Sequence, residues 1–173
     1  MNLIITCARH LEPETEEELM DVLEELGDPD LKVSITNMSG ILTADTKLDP
    51  IEVVKKIKTM IIDEPWSIRY CLRIIPIQKI IETGIEEIEK SVDDLSDQIL
   101  DDETYRISIE KRNSDLSSQE IITKIANKIK NKVSLEFPDK IILIEILGNK
   151  TGISILKKSD ILSTEKTKRS LSD

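Results

Sequence analysis

The chain has 173 residues, 39% of them hydrophobic and 34% charged, and a formal net charge of −10. Thirty isoleucines and only four aromatic side chains (Trp66, Tyr70, Tyr105, Phe137) imply an aliphatic core and exclude bulk disorder. No apolar run approaches the roughly 20 residues of a membrane helix, Met1–Thr6 lacks the basic start of a signal peptide, and Cys7 and Cys71 make no disulfide framework. A soluble, cytoplasmic protein without a membrane partner is expected.

Residues 2–7 are a short apolar run, read as a buried strand. A helix follows from about Pro13, with Glu14, Glu16, Glu17 and Glu18 where the helix dipole favours anions. Leu19, Leu23 and Leu26 keep helical spacing, and Gly27 stops the helix. Leu31–Thr36 alternates as a half-buried strand, and the turn Asn37–Gly40 leads to a second strand over Ile41–Asp45. Asp49 and Pro50 then open a helix whose apolar face is Ile51, Val54, Ile57 and Ile61. The succession β-α-β-β-α predicts an N-terminal ferredoxin-like domain over residues 1–64.

A strand is expected from Ile68 to about Ile75, as the first of a second domain over residues 65–158. Gly84 precedes a periodic helix (Ile85, Ile88, Val92, Leu95, Ile99) with an acidic outer face. Tyr105–Glu110 alternates as a strand that ends in Lys111 and Arg112. Ser117 and Glu120 form a capping-box pattern. The helix it opens is expected to turn Ile121, Ile125, Ile129 and Val133 inward, with Lys124, Lys128 and Lys132 in a stripe beside them. Ile141–Leu147 is apolar on both faces except at Glu145, as a central strand would be, and Gly148–Gly152 turns into a partner strand over Ile153–Leu156. Residues 159–173 are expected to be a polar tail. The fold class is α+β, with a mixed central sheet in the second domain.

No catalytic constellation is evident. The five glycines never form a phosphate loop, and His10 is the one histidine. Cys7 and His10 have a CxxH spacing that Cys71 could join, but no fourth ligand is evident and isolated cysteines are more often core packing. No catalytic, metal or cofactor residues are assigned. The charge distribution says more. Residues 1–63 carry −8, residues 64–103 carry −7 and residues 104–173 carry +5. A polyanion approaching only one end of the molecule would fit that split. The cations that could contact phosphates are Arg69 and Arg73 on one strand, Lys111 and Arg112 at a strand end, the Lys124–Lys128–Lys132 stripe, and Lys157 and Lys158. With no aromatics expected at the surface, phosphate contacts are favoured over base stacking.

Several segments together resemble a THUMP domain. They are Arg73–Ile77, Tyr105–Arg112, the Ile121–Val133 helix, Pro138–Ile146 and Gly152–Ser154. Thr6–Arg9, Glu12, Glu25–Asp28 and Gly40–Leu42 look like the N-terminal ferredoxin-like unit of the same family. The chain is most similar to the stand-alone THUMP proteins that serve as adaptors in tRNA cytidine N4-acetylation, and the resemblance covers about residues 1–158. It implies binding of the tRNA acceptor stem and 3′ end. It also implies that catalysis belongs to a separate acetyltransferase, so that this chain is not an enzyme. By position, Arg73, Lys111 and Arg112 are the RNA-contact candidates; Lys124, Lys128 and Lys132 follow on charge, and Arg9 extends the contact. The competing reading is a ferredoxin-like interaction module that binds protein through its acidic helices. Eight acids between Glu12 and Glu25 would supply that face.

Overall fold

The computed structural model describes residues 1–172. In chain order the elements are β1 (Leu3–Cys7), α1 (Glu12–Glu25), β2 (Lys32–Ile35), β3 (Ile41–Asp45), α2 (Pro50–Asp63) and β4 (Cys71–Pro76). They continue with β5 (Lys79–Glu82), α3 (Ile85–Leu95), β6 (Tyr105–Arg112), α4 (Ser118–Lys128), β7 (Lys140–Leu147) and β8 (Lys150–Leu156). The last two are β9 (Leu162–Ser163) and α5 (Thr164–Arg169).

Two compact units form. The first is Met1–Pro76 with the segment from Ser159 onward, and the second is Ile77–Lys158. The first holds a five-stranded sheet in the order β2-β3-β1-β4-β9, every pair antiparallel. Its helices follow from their caps. The Asp49 side chain accepts from the backbone N–H of Ile51 and Glu52, and Pro50 fills the first helical position of α2. Leu19, Val22 and Leu23 of α1 and Val53, Val54, Ile57 and Ile61 of α2 close the core against Leu3, Ile5, Leu42 and Ile74. Gly40 takes φ +75°, and a Cβ there would stand 2.6 Å from the Cys7 carbonyl oxygen. That approach is why the β2–β3 turn needs glycine.

The second unit is a four-stranded mixed sheet, β5-β8-β7-β6, with β6 and β7 parallel and the other pairs antiparallel. Alternate residues of β7 and β8 (Ile142, Ile144, Ile146, Ile153, Ile155) pack with Ile88 and Val92 of α3 and Ile121 and Ile125 of α4. The α+β class, the β-α-β-β-α succession and the mixed central sheet agree with the sequence pattern.

Three expectations need correction. The strand placed at the head of a second domain is β4, paired with β1 through Leu3↔Pro76 to Thr6↔Arg73. The unit boundary therefore falls after Pro76, not at residue 64. The expected tail is also structured: Leu162 is buried and pairs with Ile74, and the Thr164 hydroxyl donates to the carbonyls of Cys71 and Leu72 at 2.9 and 3.2 Å. Finally, β5 was not expected, because a four-residue edge strand buried only on alternate positions leaves too short a pattern to read.

Candidate nucleic-acid interface

Cations divide unevenly between and within the units. The first unit, residues 1–76 with 159–173, carries 11 basic and 18 acidic side chains; the second carries 13 and 16. Inside the second, residues 77–103 (β5, α3 and the loop after it) sum to −8, whereas residues 104–158 sum to +5. The basic excess is therefore a property of β6, α4, β7, β8 and their connections.

Lys111 and Arg112 sit at the carboxyl end of β6, beside the Gly148–Asn149 turn; the Gly148 N–H donates to the Arg112 carbonyl at 2.9 Å. Lys111 is exposed, and its ammonium donates to the Leu116 carbonyl at 2.7 Å. Arg112 behaves differently. Its Nη1 lies 3.1 Å from Oε2 of Glu145, whose side chain is 1% exposed in the middle of β7. A carboxylate at that depth needs a paired cation, so Arg112 is first the partner of Glu145. Its side chain keeps 27% exposure.

The expected lysine stripe is broken. The Ser117 hydroxyl accepts from the Glu120 N–H as the capping pattern predicts, but α4 ends at Lys128 and Ile129 is already extended. Asn131 draws the chain off the helix by donating to the carbonyls of Leu100 and Glu103 at 2.7 and 2.9 Å. Lys132 then lies alongside the start of β6, its carbonyl accepting from the Tyr105 N–H at 3.1 Å, and Val133 is 55% exposed rather than inward. Six residues of strand, about 20 Å, separate Tyr105 from Lys111, so the two basic groups mark opposite ends of β6. Lys124 is on α4 and is half-buried. Lys128 is paired with Glu89 of α3 at 3.1 Å. Lys124 and Lys132 make no ion pair among the described residues.

Arg9 and Arg73 belong to the first unit. Arg73 faces Thr6 on one side and Ser163 on the other, on the sheet face away from α1 and α2, and is half-buried. Arg9 is exposed beyond the end of β1, with Nε donating to the Ser39 hydroxyl at 3.1 Å. The α5 helix behind Ser163 adds Lys166, Lys168 and Arg169, which the sequence reading left in a tail. Ser163, whose hydroxyl accepts from the Lys166 N–H, was the signal that could have found that helix.

Two further features bear on chemistry. A cleft of about 630 Å³ in the first unit is lined by Glu14, Glu17, Glu18, Asp21, Glu25, Asp63 and Glu64, with Arg69 their one cationic neighbour. That face repels a polyanion. Burial raises the thiol pKa of Cys7, and burial together with the Glu18 charge raises that of Cys71. Both sulfurs are thus held as thiols. No group of three or more His, Cys, Asp or Glu side chains among the described residues could hold a metal ion. No described helix is long and apolar enough to cross a membrane. Trp66 is 70% exposed and Phe137 83%, contrary to the expectation of no surface aromatics; a core of isoleucine has left them outside.

Residues 82–156 match the THUMP domain, inside the second unit. A curated relative, the uncharacterized protein MJ0421 of Methanocaldococcus jannaschii, is 31% identical over 102 residues, 56% of this chain and 28% of the relative. Among solved structures, PH1313 from Pyrococcus horikoshii Ot3 aligns with a TM-score of 0.62 at 20% identity, over 91% of this chain and 55% of that one. TrmN from Thermus thermophilus gives 0.60 at 10% identity, over 90% and 45%. A 4-thiouridine synthetase solved as an RNA complex with bound ATP gives 0.59 at 14% identity, over 94% and 42%. These likenesses are of fold. The chain spans less than two thirds of each of these relatives.

Proposed function

We propose, from the premise of a chain that carries a THUMP domain over residues 82–156, that this protein binds tRNA. It hands the bound tRNA to a separate modifying enzyme, an N4-acetylcytidine-forming acetyltransferase. The observation that carries the RNA reading is the +5 excess over residues 104–158, of which +3 lies within the matched stretch and the rest is Lys157 and Lys158 just beyond it. The shared fold with a synthetase solved in complex with RNA supports it. Contacts run through phosphates from Lys111, Lys124 and Lys132, with the rest of Arg112 added at the β6 end. In the first unit Arg73 and Arg9 are separate candidates for phosphate contact. The acidic cleft lined by α1 turns the RNA away and leaves a face for a protein. The chain itself supplies no catalytic group in this reading, since both thiols are buried and His10 is the one imidazole.

The test is fluorescence anisotropy with total tRNA, intact and lacking its terminal CCA, across a salt series. Each phosphate contact adds about 0.7–0.9 to the slope of log affinity on log salt. The double change Lys111→Glu and Lys124→Glu should weaken binding at least tenfold and flatten that slope, with the circular dichroism spectrum unchanged. Arg112 is left alone, because losing it would also expose Glu145. Equal affinity in the double variant would remove this interface. For the adaptor role, acetyl transfer to tRNA by the acetyltransferase should require this chain in trans; transfer at the same rate without it would overturn that part alone.

A further inference from the structure

Cys7 and Cys71 are the two cysteines of the chain, and both are buried. The β1–β4 ladder sets them directly opposite one another, the register shifting at Leu72 between the Thr6↔Arg73 and Cys7↔Cys71 pairs. Neither backbone amide donates to the other residue. The Cys7 N–H donates to the Gly40 carbonyl at 2.9 Å, and the Cys71 N–H donates to the Glu18 carboxylate at 2.8 Å. The pair is thus of the narrower, non-hydrogen-bonded kind, in which α-carbons stand about 4.5 Å apart. A disulfide spans α-carbons roughly 4.4–6.8 Å apart. Both side chains belong to the core that α1 and α2 close. Neither sulfur is tightly held: the Cys71 thiol makes a 3.6 Å contact to the Arg73 carbonyl, and the Cys7 thiol lies beside the Thr15 hydroxyl. Rotation about each Cα–Cβ bond exchanges these weak contacts for the opposite sulfur.

We propose that Cys7 and Cys71 are a redox-responsive pair, which a small disulfide such as oxidised glutathione converts to a cross-strand disulfide. The Cys7 thiolate attacks one sulfur of the small disulfide and expels a glutathione thiolate. The Cys71 thiolate then attacks the Cys7 sulfur and expels the second. One S–S bond breaks and one forms; the two cysteines lose two electrons, the two glutathiones gain them, and the two cysteine protons end on the glutathione thiols. Burial keeps both thiols protonated, so the reaction waits on local opening at the start of β4. Glu18, bonded to the amides of Tyr70 and Cys71, and the Thr164 hydroxyl, bonded to the Cys71 carbonyl, resist that opening. Once formed, the bridge closes the loop of residues 8–70 and fixes the β1–β4 register. The proposal does not rest on the RNA reading.

Free-thiol counts and intact mass of the full chain, equilibrated in mixtures of reduced and oxidised glutathione, test this. Equilibrium is approached from both sides: from the reduced folded chain, and from chain oxidised in urea and then refolded. Both should reach a species with no free thiol and a mass lower by two hydrogens. The constant for bridging should be about a hundredfold larger in the folded chain than in urea, because the fold already holds the two cysteines together. By the same linkage the bridged chain should keep the circular dichroism spectrum of the reduced one and melt several degrees higher. Cys7→Ala and Cys71→Ala each leave one thiol, and neither should gain in thermal midpoint from the same mixtures. That contrast assigns the gain to the bridge and not to glutathione. A bridging constant no larger in the folded chain than in urea overturns the proposal, as does a bridged chain that refolds without the native spectrum or melts below the reduced one.

Discussion

The two units carry an acidic excess in different ways. In the first, beside ion pairs of Asp45 with the N-terminus, Asp30 with Lys47 and Glu52 with Lys55, the well-buried connections are held by carboxylates on backbone amides. Glu18 of α1 accepts from the N–H groups of Arg69, Tyr70 and Cys71, fixing the start of β4. Glu12 accepts from the Gly40 N–H at 2.8 Å, and Asp28, 1% exposed, accepts from the Thr46 hydroxyl at 2.6 Å and the Lys47 N–H at 2.9 Å. In the second, ion pairs are more numerous (Arg112–Glu145, Lys128–Glu89, Lys140–Glu103, Lys79–Asp94 and Lys150–Glu82), although Glu103 and Asp139 also accept from the N–H groups of Leu100 and Thr104. The contrast follows from composition, because the first unit has too few cations for its acids. It also shows that a cation in the second unit is available to a ligand only once its own partner is accounted for.

The sharpest way to break this contrast is to remove one side of the buried pair. Arg112→Ala removes the cation paired with the buried Glu145 carboxylate and should cost about 3 kcal/mol of unfolding free energy. Arg73→Ala removes a half-exposed arginine with no ion pair among the described residues and should cost under about 0.5 kcal/mol. Urea midpoints of the two variants read the difference. Similar losses would mean that Arg112 has the same freedom as Arg73, and it would then return to the list of unencumbered phosphate ligands.

A smaller effect is expected where the carboxylate serves the backbone. Glu18→Ala strips the charged acceptor from three amides and should cost about 2 kcal/mol. Because those amides begin β4, the buried Cys71 thiol should also react with a thiol reagent several times faster. Glu18→Gln keeps an acceptor oxygen and should lose about half as much. If Glu18→Ala leaves both the urea midpoint and the labelling rate unchanged, carboxylate-to-amide bonds are not what holds the first unit's connections.

Much of the architecture was legible because periodicity is local. The 3.6-residue spacing of Ile51, Val54, Ile57 and Ile61, the cap at Asp49 and the alternation of Tyr105–Glu110 each report on a few neighbouring residues. What the sequence did not disclose depends on distant pairing. Nothing near Cys71–Pro76 says that β4 joins β1 rather than starting a new sheet, and nothing near Leu162 says that the chain returns to Arg73. The candidate site failed in the same manner. A four-residue lysine repeat suggested one helix through Lys132, but side-chain bonds from Asn131 to carbonyls some thirty residues away end the helix first. Likewise Arg112 read as a free cation until the register of β6 on β7 set it near Glu145.

The smallest effect separates the two modes by pH. In the loop that ends beside Lys132, Glu103 is held below the ordinary carboxylate range, first by the Leu100 N–H and then by Lys140. Asp139 is held down by the N–H and hydroxyl of Thr104. A carboxylate whose folded pKa is depressed stabilises the fold fully above its unfolded value, and that contribution fades as pH falls through the folded value. The thermal midpoint of the wild-type chain should therefore fall below about pH 4.5. Asp139→Asn carries no charge to lose there, so its midpoint should start lower at neutral pH and approach the wild type in acid. The Glu103→Gln variant should converge similarly, and it should also respond to salt at neutral pH through Lys140. A gap between wild type and Asp139→Asn that stays constant from neutral pH into acid would show that the Thr104–Asp139 bonds do not depend on charge. The second unit's loop would then be held as neutral hydrogen bonds hold a turn, and the contrast between the units would narrow to the buried pair alone.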